Sequence, residues 1–402
     1  MIETNTAGAN EAQSRGLDAR ALILMILPLL LLGALLALLV TRGTGLAERS
    51  APPIEEVTIN RVSLPARDMV SIEVTNGGAD PVTIAQVLVD DAYWEFTITP
   101  ANTIPRLGTA TLNINFPWQQ DEPHAILLIS SNGVTFPAEV AVATLTPAPT
   151  LATFWQYALL GIYVGFIPVG LGMLWFPALR RMGKQGMQFI LALTVGLLLY
   201  LLFGSIVEAR EFILETPAAF GGEPIVILTA ILTFLLLIAV SMRKPDNEQS
   251  RLGISTRIAL GIGLHNLGEG LAIGAAFANG QAALGTFLVV GFTLHNITEG
   301  IGIVTPMVRE SPPLWRFIAL AALAGLPAVL GVWIGGFVFS KLAAALFLAI
   351  GAGAIAQVVY EVGRLLTLQS TREHMPLVSW PTFAGIAIGV GIMALTALSV
   401  PA

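Results

Sequence analysis

The chain has 402 residues, 55% of them hydrophobic and only 11% charged, against about a quarter charged in an ordinary soluble domain. That balance points to the bilayer. It contains no cysteine, which excludes disulfide frameworks and thiolate metal sites, and a formal charge of -6 with no basic footprint or recognition motif excludes nucleic acid as a partner.

Residues Met1–Arg20 are polar and mixed in charge and read as a short disordered tail. Ala21–Val40 is an unbroken apolar run, long enough to cross a hydrocarbon core of roughly 30 Å at about 1.5 Å per residue. It reads as an N-terminal transmembrane anchor. A cleaved signal peptide is the alternative, but its apolar region usually runs only about 7 to 15 residues.

Residues 51–145 change character to short runs of period-two alternation, among them Met69–Thr75, Val82–Asp90, Thr109–Phe116 and Glu139–Thr144. Turn formers such as Asn76-Gly77-Gly78 and Asn132-Gly133 separate them, so the segment predicts a small all-β sandwich of about seven strands. Thr146–Thr150 (TPAPT) predicts a stiff linker.

Residues 151–402 are almost continuously hydrophobic and predict eight further spans, centred near Val164, Gly196, Ala230, Ala272, Val290, Leu326, Ala352 and Ile388. The fold class is therefore mainly α: a polytopic transmembrane bundle of eight helices preceded by one anchor and an extracytoplasmic β sandwich. With nine crossings the termini lie on opposite sides. Placing the N-terminal tail inside gathers Arg180, Arg181, Lys184, Arg243, Lys244, Arg251, Arg257, Arg309, Arg316, Arg364 and Arg372 in inside loops, as the excess of cytoplasmic positive charge requires. The expected location is the cytoplasmic membrane of the cell, with the β domain and C-terminus outside.

Two spans carry ionisable residues at mid-depth, where each costs a few kcal/mol or more. The fourth holds Leu264-His265-Asn266-Leu267-Gly268-Glu269-Gly270 and the fifth Leu294-His295-Asn296-Ile297-Thr298-Glu299-Gly300. Residues four apart on a helix are offset by about 40°, so His265 stacks with Glu269 and His295 with Glu299. Asn266 and Asn296 sit about 100° round and bring amide oxygens beside that stack. Gly270 and Gly300 allow close helix approach. The two helices are joined by the short segment Ala278–Ala283 and run antiparallel, placing His265 roughly 12 Å and His295 roughly 10 to 14 Å from the cytoplasmic face. Imidazoles with carboxylates suit Zn, Fe(II) or Mn, in that order here; the imidazoles argue against Mg or Ca and the lack of thiolate against Cu(I). The plainer alternative is a structural His–Glu hydrogen bond between helices, about 0.6 kcal/mol on average. Two matching motifs weigh against it.

Other polar residues speak less. His124 in the β domain and His374 in a loop are lone side chains. Glu361 reads as an ion pair with Arg364 one turn on, Glu208 as a candidate at the outer mouth of a path, and Trp155, Trp175, Trp315 and Trp380 as an interfacial belt.

At the two motifs the sequence resembles the ZIP (Zrt/Irt-like, zinc and iron permease) family of metal-ion transporters, whose fourth and fifth helices carry His-Asn-x-x-Glu/Asp-Gly patterns. Thr194–Ala209 is similar to that family's second helix and Gly351–Leu365 to its seventh, whereas the anchor and β domain lie outside the resemblance. It implies a metal site at His265, Glu269, His295 and Glu299, and a neighbouring one that uses Asn266 and Asn296 and shares the glutamates. The sixth-helix Glu that completes the second site in many members falls near Ala328, the prolines frequent inside the motifs are replaced by Gly268 and Thr298, and the cytoplasmic loop Arg243–Arg257 has no histidine cluster.

The expected function is transport of a divalent transition metal toward the cytoplasm, not enzymatic and without ATP, since no GxxxxGK[ST] motif occurs. Zn2+, or Fe2+ or Mn2+, is the transported substrate and no organic cofactor is expected. Expected partners are the metal ion and the bilayer, with a homodimer an open assembly. Two alternatives remain: an intramembrane zinc hydrolase, with His265, His295 and one Glu on a catalytic metal and the other Glu as base, and a metal-sensing receptor signalling through the β domain.

Overall fold

The computed structural model describes residues 19–42, 54–242, 251–278, 281–338 and 340–398. Most of the expected N-terminal tail, and residues 243–250 of the expected cytoplasmic loop, lie outside the described residues. Helix α1, Ala19–Arg42, contains the predicted anchor and stands as a unit by itself.

The β domain has nine strands among the described residues, two more than the alternation suggests. One sheet runs β1 (Val57–Ala66), β2 (Met69–Asn76), β7 (Thr109–Ile114), β5 (Phe96–Thr99). The other runs β4 (Ala92–Trp94), β3 (Val82–Val89), β8 (His124–Ser130), β9 (Thr135–Val140), with β6 (Thr103–Ile104) also on β3. All pairings are antiparallel. Alternation decides the inner faces: Val70, Ile72 and Val74 of β2 and Ile126 and Leu128 of β8 are buried in one core with Leu112 and Ile114. The last strand ends at Val140, not Thr144, and starts earlier because Pro137, which breaks the pattern, is tolerated on this edge strand. The linker is tied down: Thr146 N–H donates to Leu64 O, and Leu64 N–H to Thr146 Oγ1.

Beyond it the chain is helical: α2 (Leu151–Gly161), a π turn (Ile162–Phe166), α3 (Ile167–Met173) and α4 (Phe176–Leu179), which together form one segment, then α5 (Lys184–Leu214), α6 (Gly222–Met242), α7 (Arg251–Ala278), α8 (Ala282–Val304), α9 (Leu314–Gly325), α10 (Pro327–Phe337), α11 (Lys341–Arg372) and α12 (Trp380–Leu398). Seven segments are long and apolar enough to cross a membrane among the described residues; α1 and α12 hold shorter apolar stretches. Helix α7 starts at Arg251, so Arg251–Arg257 is helix and not loop as expected.

The β domain marks one face of the helical region. Ala218 N–H donates to Glu56 Oε1, Arg61 reaches Ala278 O, and Lys341 Nζ donates to Ile59 O at 3.0 Å. Those contacts put the ends of α5 and α7 and the start of α11 on the β-domain face, and successive helices then alternate in direction. Glycines set the packing. A Cβ at Gly270 would lie 2.2 Å from Ala328 O and one at Gly300 2.1 Å from Val169 O, so α7 meets α10, and α8 meets α3, backbone to backbone. Helices α2–α3, α7, α8 and α9–α10 form one bundle, and α5, α6, α11 and α12 a second. The first leans on the second mainly through α7 against α11.

Candidate metal centre

The motif helices α7 and α8 turn their polar residues toward each other. Nε2 of His265 lies 2.9 Å and Nε2 of His295 2.5 Å from the same atom, Oε1 of Glu269. The ring centroids are 6.5 Å apart. All six sequence-selected residues, His265, Asn266, Glu269, His295, Asn296 and Glu299, are buried, with at most 4% of their surface exposed. His295 is in hydrogen-bond contact with Glu269, whereas the His265 approach is short but poorly angled and leaves its Nε2 without a true hydrogen bond.

One donor atom each from His265, His295 and Glu299 lies within 4.8 Å of the others, the one such group among the described residues. Zn–N and Zn–O bonds of about 2.0–2.1 Å put tetrahedral ligand atoms about 3.3 Å apart, a spacing these side chains would reach by a modest inward rotation. Neither oxygen of Glu299 receives a well-formed hydrogen bond, nor does Oδ1 of Asn266 or Asn296. Buried oxygens of this kind cost free energy unless a cation or water satisfies them.

The asparagine amides are held by carbonyls at two helix irregularities. Pro168 has no N–H for Val164 O, the chain takes a π turn there, and Asn296 Nδ2 donates to that oxygen at 3.0 Å and to Glu269 Oε2 at 3.3 Å. Asn266 Nδ2 donates to Ala324 O at 3.0 Å, beside the break before Pro327. Each amide thereby turns its nitrogen to protein and leaves its oxygen free. Ala328 is buried and brings a backbone carbonyl, not a carboxylate, to Gly270.

A cavity of about 330 Å³ reaches the centre, lined by His265, Glu269, His295 and Phe292 and by Tyr200, Ser205, Glu208, Leu348 and Met393. Glu208, near the end of α5, and Met393, late in α12, place it in the half toward the β domain. The other half is filled by apolar side chains of both bundles, including Leu191, Ile258, Ile262, Ile303 and Val358.

Glu361 is not paired with Arg364 as its spacing suggests. Arg364 is exposed, and Arg257 of α7 forks onto Glu361 instead, with Nε to Oε1 at 2.9 Å and Nη2 to Oε2 at 3.3 Å. His124 is buried with Nδ1 2.8 Å from Asp90 Oδ2, and His374 is exposed. Glu373, just past α11, accepts from Lys184 and Arg309, each at 2.6 Å, and these bonds hold its carboxyl down to about 2.

No family model matches the chain, and no curated protein matches it.

Proposed function

We propose that this protein is a carrier of a divalent transition-metal ion, zinc before iron(II) or manganese(II), that takes the ion from the β-domain side and releases it on the opposite side, the cytoplasm. The observation that carries the reading is the convergence of two imidazole Nε2 atoms on one carboxylate at mid-depth, with the oxygens of Glu299, Asn266 and Asn296 beside it lacking well-formed hydrogen bonds. Mixed N/O donors of this kind fit such ions. Burying six polar side chains and leaving the oxygens of Glu299, Asn266 and Asn296 without well-formed hydrogen bonds is costly for packing alone.

The helical region then is the eight-helix core expected from the ZIP-like motifs, with α12 the eighth crossing and α1 a separate anchor. Direction follows from charge and shape together. Arg180, Arg181, Lys184, Arg309, Arg316 and Arg372 sit at the ends away from the β domain, whereas that domain's acidic side chains outnumber its bases, Arg61, Arg67 and Arg106. Positive ends mark the cytoplasmic face, and an acidic surface beside the cavity favours cation approach. A cation arriving at Glu208 exchanges water for imidazole and carboxylate, and sharing of ligands between α7 and α8 gives the release route when the helices shift.

The intramembrane hydrolase keeps one supporting observation: with His265, His295 and Glu299 as ligands, Glu269 lines the cavity and is placed to act as base. Flux separates the two. In vesicles containing the purified chain, zinc is expected to enter in a saturable manner, and His265→Ala and Glu269→Ala to remove that flux. Vesicles that accumulate none of Zn, Fe(II) or Mn with intact motifs overturn the carrier.

A further inference from the structure

The face of α7 that carries His265 continues toward the end away from the β domain through Gly261 and Arg257, at four-residue steps that keep all three in line. That stripe lies against α11. Gly351 is close enough that a Cβ there would sit 3.3 Å from His265 Cα, and a Cβ at Gly261 would lie 2.4 Å from Val358 Cγ2. One turn further the stripe ends in the Arg257–Glu361 fork, with Gln357 Nε2 also donating to Glu361 Oε1 at 3.3 Å. Glu361 is buried and Arg257 mostly so. The fork joins α7 of one bundle to α11 of the other, in the half where apolar side chains close the path and opposite the half that holds the cavity.

We infer that the Arg257–Glu361 pair is an inner gate strap: it holds α7 against α11 below the metal centre and has to part before the site can open away from the β domain. Packing alone does not call for a charged pair at this depth, since apolar residues of similar size usually serve stability as well or better. A pair in contact in one arrangement and separated in another, by contrast, sets the balance between two states. Both charges then need a second environment once apart. Arg257 lies within two turns of the start of α7 and can extend its guanidinium to the membrane surface, while Glu361 keeps the amide of Gln357 one turn earlier on its own helix. His265 and Arg257 share one rigid helix, so a displacement that frees the strap also carries the imidazole. The inference rests on the carrier reading for its meaning but not for its test.

Because the chain has no cysteine, a single introduced one reports access without background. Full-length protein bearing Val358→Cys is placed in vesicles with the face away from the β domain outward and treated with a membrane-impermeant maleimide. Val358 is fully buried between the bundles, so slow labelling is expected in the parent. Glu361→Gln or Arg257→Gln should raise the rate roughly 10- to 100-fold, since removal of one partner of a buried pair strongly destabilises the closed arrangement. The double variant should label no faster than the singles, and Arg257→Lys, which keeps the charge but loses the fork, should fall between. Val332→Cys, buried within the first bundle in the cavity half, should not respond. Parental labelling in both single variants overturns the strap, and so does an equal rise at Val332→Cys, which marks general loosening. A response at Val358→Cys in protein that moves no ion leaves the strap standing and removes the carrier alone.

Discussion

The two motifs are near copies in sequence, His-Asn-x-x-Glu-Gly on α7 and again on α8, yet the fold makes them unequal. Glu269 is a hub: Oε1 meets both imidazoles and Oε2 takes a bond from Asn296. Glu299 meets no such set, and its oxygens lie without well-formed bonds. Likewise Asn296 bonds a carbonyl freed by Pro168 and the hub carboxylate, whereas Asn266 bonds Ala324 O and faces Glu299 rather than the hub. Local sequence repeats itself, but the neighbours of α7 and α8 differ, and the neighbours decide which carboxylate organises the rings.

The largest test of that inequality is to remove each carboxylate. Glu269→Ala is expected to weaken zinc binding by more than ~100-fold, beyond the ~10–100-fold typical of outer partners, and Glu299→Ala by less; competition against a chromophoric chelator reads both. Equal losses would show that the hub has no energetic content. Next come the glycines. Gly270→Ala and Gly300→Ala drive a methyl into backbone carbonyls on opposite sides of the centre, and each should cost about 1–3 kcal/mol, seen as a lower Tm in detergent. Here the motifs should behave alike, because each glycine meets backbone that has no rotamer to yield. A smaller contrast is Asn296→Ala against Asn266→Ala: zinc affinity should fall ~10-fold for the first and less for the second, and the reverse order would mean that the hub bond does not orient Glu269.

The smallest effect lies outside the membrane span. Lys184 and Arg309 hold the Glu373 carboxyl down to about 2 from an ordinary value of 4.5. A depressed folded value means that the stabilisation is complete above the unfolded value and disappears as pH falls through the folded one. The Tm difference between the parent and Glu373→Gln should therefore be constant from pH 8 to about 5 and shrink as the pH is lowered toward 2. With both partners, Lys184 and Arg309, exposed, screening keeps that difference slight.

Much of this was legible in the sequence because it depends on period. Four-residue spacing puts His265 over Glu269 and His295 over Glu299 whatever surrounds them, and alternation marks β2, β3 and β7. What escaped depends on partners distant in the chain. The local neighbour of Glu361 is Arg364, but its partner is Arg257, 104 residues away. Strands β4 and β6 have three and two residues, too few to show a period, and β9 was displaced by its edge proline. The carbonyl that orients Asn296 had a readable sign in Pro168, which removes the N–H that Val164 O would accept; that Asn296 claims the freed oxygen, and that Asn266 finds Ala324 O, only the packing of the π turn and α9 against α7 and α8 decides.

The most direct test of the centre is X-ray absorption at the zinc edge on the zinc-loaded chain. Two imidazole nitrogens and carboxylate oxygens at about 2.0–2.1 Å are expected, with one imidazole lost in His265→Ala and one in His295→Ala. An all-oxygen shell, or a spectrum that neither substitution alters, would place the ion somewhere other than between these two helices.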